Sequence, residues 1–178
     1  MAQTFTLKQL WNRQLKEYKK QQHKFLLTSR FNTETWSQNK NYRRHHSQIG
    51  CIYCSPDPIS QHIPSEAIMF ILEMNNDANK IMGIGMVRNN PNINKYNIYT
   101  EGNYNRYVYM GNTRIGREEM NIEEDKIMQV FDILCFKGNK HMKRGQGLKS
   151  FPTDMLFRCS NMLDLVEFIS KMFKKRLS

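Results

Sequence analysis

No apolar run in this chain approaches the ~20 consecutive residues that a membrane span needs, so a membrane-embedded protein is not expected. Room for a second full core is also missing. At 178 residues the chain suits one domain, or one domain with extensions, since domains commonly run to roughly 100–150 residues. Cysteine is scarce, with four in all, and residues 1–30 read as charged and helical rather than as a secretory leader. Reduced thiols in the cytosol or nucleus are therefore expected, not a disulfide framework. Acidic residues are in deficit: Asp+Glu 16 against Lys+Arg 27 leave a formal charge of +11. The cheapest physical account is a polyanionic partner whose counterions are released on binding, with nucleic acid first and an anionic membrane surface second. Plain solubility is the bland account. Asn makes up about a tenth of the residues and, with frequent Ile, Met and Tyr, gives the bias of AT-rich genomes, viral ones included. That composition fits a viral protein in a host cell and says nothing about fold.

From Thr6 to about Lys24, Leu7, Leu10, Trp11, Leu15 and Tyr18 fall at helical spacing with Arg13, Lys16, Lys19 and Lys20 between them. Residues 1–24 therefore read as a basic amphipathic extension that could hold a protein partner, and residues 25–178 as a single domain. After Phe25-Leu26-Leu27, a first strand, the polar stretch Thr28–Gln48 shows no regular period. The clearest β signal follows, where two apolar runs, Ala67–Met74 and Lys80–Val87, flank an Asn/Asp-rich turn. Both arms are apolar on both faces, so this hairpin should be central. Gly83 and Gly85 share one strand face, where a neighbouring backbone or a flat ligand could come close. Shorter strands are expected at Ile49–Cys54, Tyr96–Tyr99 and Arg106–Arg114. Asn121 and Glu124 form a capping pair for a helix burying Ile127, Val130, Phe131 and Leu134 and ending before Gly138. A last helix, from about Asn161 to Arg176, carries Met162, Leu165, Ile169, Met172 and Phe173 on one face. The expected class is α+β: a small mixed curved sheet or barrel with flanking helices.

The segment from about Phe25 to Asn89 resembles the PUA-like superfamily, its YTH and EVE branches in particular. The likeness rests on Trp36-Ser37-Gln38-Asn39 within an irregular stretch, followed by Phe70–Asn75 and the Gly-containing return strand Ile81–Val87. The Ser55–Ser65 insertion and the later basic loop have no counterpart in that pattern. The resemblance implies a non-catalytic module that holds an unstacked, often methylated base in an aromatic pocket, RNA being favoured over DNA, and it puts Trp36 in the stacking role. Base stacking on an aromatic face is worth ~1–3 kcal/mol, and amides read base edges. Asn39, Tyr53, Phe70 and Asn75 lie nearby, though Phe70 suits the core better.

Three further groups bear on binding. Arg43 and Arg44 precede His45 and His46. Tyr107 and Tyr109 share a strand face, an expected tyrosine platform beside Tyr99, Tyr104, Arg106, Arg114 and Arg117. The loop Lys137–Lys149 combines Lys137, Lys140, His141, Lys143, Arg144 and Lys149 with Gly138, Gly145 and Gly147, suited to phosphate contact. It lacks the Gly-x4-Gly-Lys-Ser/Thr spacing of a nucleotide-hydrolysing loop. Cys51-Ile52-Tyr53-Cys54 has metal-ligand spacing, but no second pair exists and residues 51 and 54 of a strand face opposite sides; neither metal nor cofactor is expected. As an alternative, Asn97-Ile98-Tyr99, Tyr109-Met110-Gly111, Arg114 and Glu123 or Glu124 faintly resemble the GIY-YIG nucleases, which implies a divalent metal at the Glu, although Asn97 replaces the first Gly. An assembly protein acting through its N-terminal helix is the third reading.

Overall fold

Ile68–Asn75 (β3) and Lys80–Arg88 (β4) are buried on both faces and so need cover on two sides, which the rest of the chain supplies. The computed structural model describes residues 5–94 and 96–178, so the first four residues of the expected extension lie outside the described residues. A five-stranded mixed sheet runs in the order β6-β4-β3-β1-β7, where β1 is Lys24–Phe31, β6 Thr113–Gly116 and β7 Leu148–Ser150. Only β1 and β3 pair in parallel, from Lys24 opposite Ile68 to Phe31 opposite Asn75; the hairpin is central, as expected. A separate ribbon, Cys51–Ser55 (β2) with Tyr107–Gly111 (β5), lies over one face. The sheet is open, so of the two architectures considered it is the mixed sheet and not the barrel that forms; the class is α+β.

Strand periodicity divides the core. Leu26, Phe70, Leu72 and Met74 meet the helices Ile122–Phe136 (α3), Thr153–Ser160 (α4) and Leu165–Leu177 (α5). Leu27, Met69 and Ile71 meet the ribbon and the helix Thr33–His45 (α2). The N-terminal helix, Leu7–Gln21 (α1), starts at a Thr6/Gln9 capping box and buries none of its residues. It docks through aromatic contacts, with the Trp11 and Tyr18 rings 4.7 and 5.3 Å from that of Phe157. Among the described residues no helix is long and apolar enough to cross a membrane.

Four local expectations need correction. The stretch from Thr28 holds a regular helix, α2, capped by Asn32 and Thr35; its buried stripe is Trp36 plus the polar Asn39, so apolar spacing is silent there. Tyr96–Tyr99 is not a strand, because the Tyr99 backbone pairs with a side chain: its N–H donates to Asn105 Oδ1 (3.0 Å) and its carbonyl accepts from Asn105 Nδ2 (2.8 Å). The last helix begins at Leu165 rather than near Asn161, leaving Met162 exposed in the link, and a separate helix, α4, precedes it that the sequence did not single out. Val130 is likewise exposed, while Met128 and Cys135 fill the buried stripe of α3.

Candidate functional site

The end of β1 runs straight into the first turn of α2, and this corner is fastened from three sides. Thr33 donates both its backbone N–H and its hydroxyl to Asp77 Oδ2 (2.7 Å each), tying α2 to the β3–β4 turn and holding the Asp77 carboxyl below its ordinary range. Gln38 exchanges two hydrogen bonds with Thr100, donating to its Oγ1 (3.0 Å) and accepting from its N–H (3.3 Å), which draws the segment around Tyr99 and Tyr104 onto the helix. The basic loop closes the third side. Its Met142 is buried, with a carbonyl accepting from Arg30 Nε (2.5 Å), and its Lys143 carbonyl accepts from Asn76 Nδ2 (3.0 Å). Gly147, at φ +68°, brings the loop backbone against Ser55 and Pro56, where a Cβ would lie 2.3 Å from Ser55 Oγ.

These fastenings enclose an open cavity of about 450 Å³ bordered by Phe31, Gln38, Cys54, Tyr99, Tyr104 and Gln146. That volume falls in the usual range for small-ligand sites. Its lining alternates aromatic faces with amides and hydroxyls, and Glu34 and Glu101 supply its acids. Two buried polar atoms of residues on its border, Arg30 Nη1 and Asn76 Oδ1, have no hydrogen-bond partner among the described residues. Burial also lowers the pKa of Arg30, which forms no ion pair among the described residues.

The residues singled out in the sequence take different places. Trp36 does not border this cavity; it is buried edge-on to Phe31, and the guanidinium carbons of Arg43 and Arg114 each sit 5.6 Å from its ring centroid. Its ring is thus buried against protein groups, two cations among them, and does not face the cavity. Asn39 is buried, donating to the Ile52 carbonyl (2.8 Å) and Tyr99 Oη (3.0 Å) and accepting from Arg43 Nε (2.9 Å). It therefore positions Tyr99 from behind and reads no ligand edge itself. Asn75 caps the β3–β4 turn by accepting from the N–H groups of Asp77 and Ala78 (3.1 Å each). Tyr109 and Tyr53 are enclosed in the ribbon core and Tyr107 is half-buried, so no exposed tyrosine platform forms.

Tyr53 instead donates to Glu73 Oε1 (2.7 Å), and Arg114 grips both Glu73 oxygens, Nη2 to Oε2 at 2.7 Å. Glu73 is fully buried. Burial opposes the charge of Arg114, but the adjoining Glu73 carboxylate outweighs it and the pKa is raised; burial, aided by Glu73, also lifts the Tyr53 phenol well above its ordinary value. Gly85 makes room for that phenol, since a Cβ there would lie 2.0 Å from Tyr53 Oη. The close approach foreseen at the glycines is filled by the protein's own groups, Tyr53 at Gly85 and the Arg114–Glu73 pair at Gly83.

Lys137, Lys140, Arg144 and Lys149 are exposed, and His141 and Lys143 half-buried, on the loop that closes the cavity; Arg44 is exposed and Arg43 half-buried on α2. The nuclease arrangement does not assemble. Tyr99 and Tyr109 lie in the ribbon-side core and Arg114 is bound to Glu73, whereas Glu124 sits with the helices and binds Arg176 (2.7 Å). Among the described residues no three His, Cys, Asp or Glu side chains gather as metal ligands. Burial pushes the Cys51 thiol up to about 12. What the sequence did not single out as site residues are three of the cavity's walls: Gln38, quoted only as a neighbour of Trp36, and Thr100 and Gln146, which carry no motif. No protein-family model matches the chain, and neither a curated protein nor a solved structure does.

Proposed function

We propose that the protein is a non-catalytic nucleic-acid-binding module, RNA being favoured, that takes an unstacked base into the cavity between α2, the Tyr99–Tyr104 segment and the basic loop. The observation that carries this reading is the cavity's make-up: aromatic residues on its border for stacking, amides and hydroxyls for a base edge, and a rim to which the chain's most basic loop contributes Gly145, Gln146 and Gly147. The PUA-like resemblance implied a ligand of the same kind through Trp36, which lies outside this cavity; here the stacking role falls to Tyr104. Phosphate contacts from Lys140, Lys143 and Arg144 would supply affinity without specifying sequence.

The test is a titration of a fluorescent single-stranded RNA across a salt series. Affinity should fall steeply with salt, and Tyr104→Ala should cost ~1–3 kcal/mol of binding while the salt slope and melting temperature stay nearly unchanged. A flat salt response, or an unaltered affinity in the Tyr104 variant, would remove the reading.

A further inference from the structure

A base in the cavity leaves the rest of its strand to be accounted for, and the surface beside the cavity is not uniform. Gln38 borders both the base cavity and a second hollow made by Ser37, Lys40, Asn41 and Arg44 on the exposed face of α2. Lys40 and Arg44 border in turn a third hollow, of about 510 Å³, which reaches Arg43, Gly50 and Arg114. The three hollows succeed one another because helical side chains three and four apart are neighbours, here Gln38 with Asn41, Ser37 with Lys40, and Lys40 with Arg44. Charge changes along this path. The acids Glu34 and Glu101 border only the cavity end, while Lys40, Arg43 and Arg44 crowd the far end, where Glu118 is the one facing acid among the described residues. Arg43 is committed to Asn39 and the Trp36 ring and Arg114 to Glu73. Lys40 and Arg44 are exposed and make no ion pair or side-chain hydrogen bond among the described residues.

Resting on the base-reading proposal above, we infer that the exposed face of α2 from Gln38 to Arg44 is the track for the sugar-phosphate backbone of the same single strand, with Lys40 and Arg44 as its phosphate contacts. The distance suits it. Six residues of helix advance about 9 Å, two to three phosphate steps of a stacked strand at about 3.4 Å each. The basic cluster at the end of α2 also favours the helix dipole, but that role asks for no hollows and no link to the cavity.

The experiment compares the K40Q/R44Q double variant with K140Q/K143Q/R144Q and with Tyr104→Ala, all as the full chain. The probes are a mixed-sequence ten-nucleotide RNA and adenosine and guanosine monophosphates. Two lost contacts should lower the salt slope for the RNA by about 1.4, a roughly sevenfold smaller change in affinity between 50 and 200 mM salt, and leave mononucleotide binding unchanged. An unchanged slope in K40Q/R44Q, with Tyr104→Ala still weakening the RNA, overturns the track and leaves the base cavity standing. Equal weakening of mononucleotides and RNA also overturns it, since the cations would then act on the cavity's occupant. No salt-dependent RNA binding by the parent protein overturns both.

Discussion

The two faces of the central sheet bury apolar clusters of similar kind but differ in what they bury alongside. Under α3, α4 and α5 the contacts are those of aliphatic and phenyl side chains, such as Phe70 stacked on Phe173 and Phe131 edge-on to Phe151. Beneath the ribbon, Glu73, Tyr53, Arg114, Asn39 and Tyr99 join the apolar residues as hydrogen-bonded partners. A face packed by volume tolerates rearrangement that conserves volume, whereas a buried polar network fails wherever one member is left unpaired. The cavity lies on the networked side, and its Tyr99 wall hangs from Asn39. Rigidity is thus concentrated where a ligand would need fixed partners.

The largest break of this comparison is Arg114→Leu. It leaves the Glu73 carboxylate buried with only the Tyr53 hydroxyl, and stability should fall by ~3–5 kcal/mol in denaturant unfolding. Replacing Glu73 by Leu in the same chain should recover part of that loss, because an apolar pair needs no charge compensation, the remainder staying with the Tyr53 hydroxyl that then lacks its acceptor. A single-variant loss below ~1 kcal/mol, or a double variant no better than the single, would show that the ribbon face is held by volume like its counterpart.

A smaller effect, ~1–3 kcal/mol, is expected from Gly85→Ala, which forces a methyl group into the Tyr53 ring. Gly102 is the control: a Cβ there meets nothing within 4 Å, so Gly102→Ala should stay within about 0.5 kcal/mol of the parent. Equal melting temperatures for the two variants would mean that the ribbon shifts freely against the sheet.

The same contrast decides what was legible in the sequence. Elements that bury apolar residues at regular spacing, β3, β4, α3 and α5, are visible as periodic runs closed by caps and turns. By contrast, α2 buries one aromatic residue and one amide and leaves a polar surface, so no apolar period marks it. Trp36 and Asn39 stood out as chemical types, yet the sequence could not say that two arginines would flank the first or that the second would face a tyrosine. The basic loop was visible as composition. Its closure over the cavity depends on Met142, Gly147 and Asn76, single residues whose partners lie far away in the chain. Tyr99 was seen, but as part of a strand, because the side-chain bonds of Asn105 that replace a strand partner have no signature of their own.

The last and smallest expected effect concerns the one carboxylate buried on the helical side among the described residues. Glu124 caps α3 by accepting from the Asn121 N–H (3.1 Å) and binds Arg176 of α5 through both oxygens (2.8 and 2.7 Å). The hydrogen bond from Arg176, against a smaller opposing effect of burial, holds its carboxyl below the ordinary value of 4.5. A carboxyl with a lowered folded-state pKa contributes stability that is present above the unfolded value and is lost as pH falls through the folded value. The loss should therefore begin near pH 4.5 and continue below it. Since the Arg176 side chain is 29% exposed, the pair is worth roughly 1 kcal/mol and no more. Glu124→Gln retains a capping acceptor and removes only the charge, so its deficit against the parent at pH 7 isolates the ion pair. That deficit should shrink as pH falls through the lowered folded-state value, where the parent carboxyl becomes protonated too. Asp125, also held low by Arg117, titrates in both proteins and cancels in the difference. A deficit that does not shrink at all as pH falls below 4.5 while both proteins stay folded would mean that Glu124 acts through packing, and that the helical face, unlike the ribbon face, draws nothing from its buried charge.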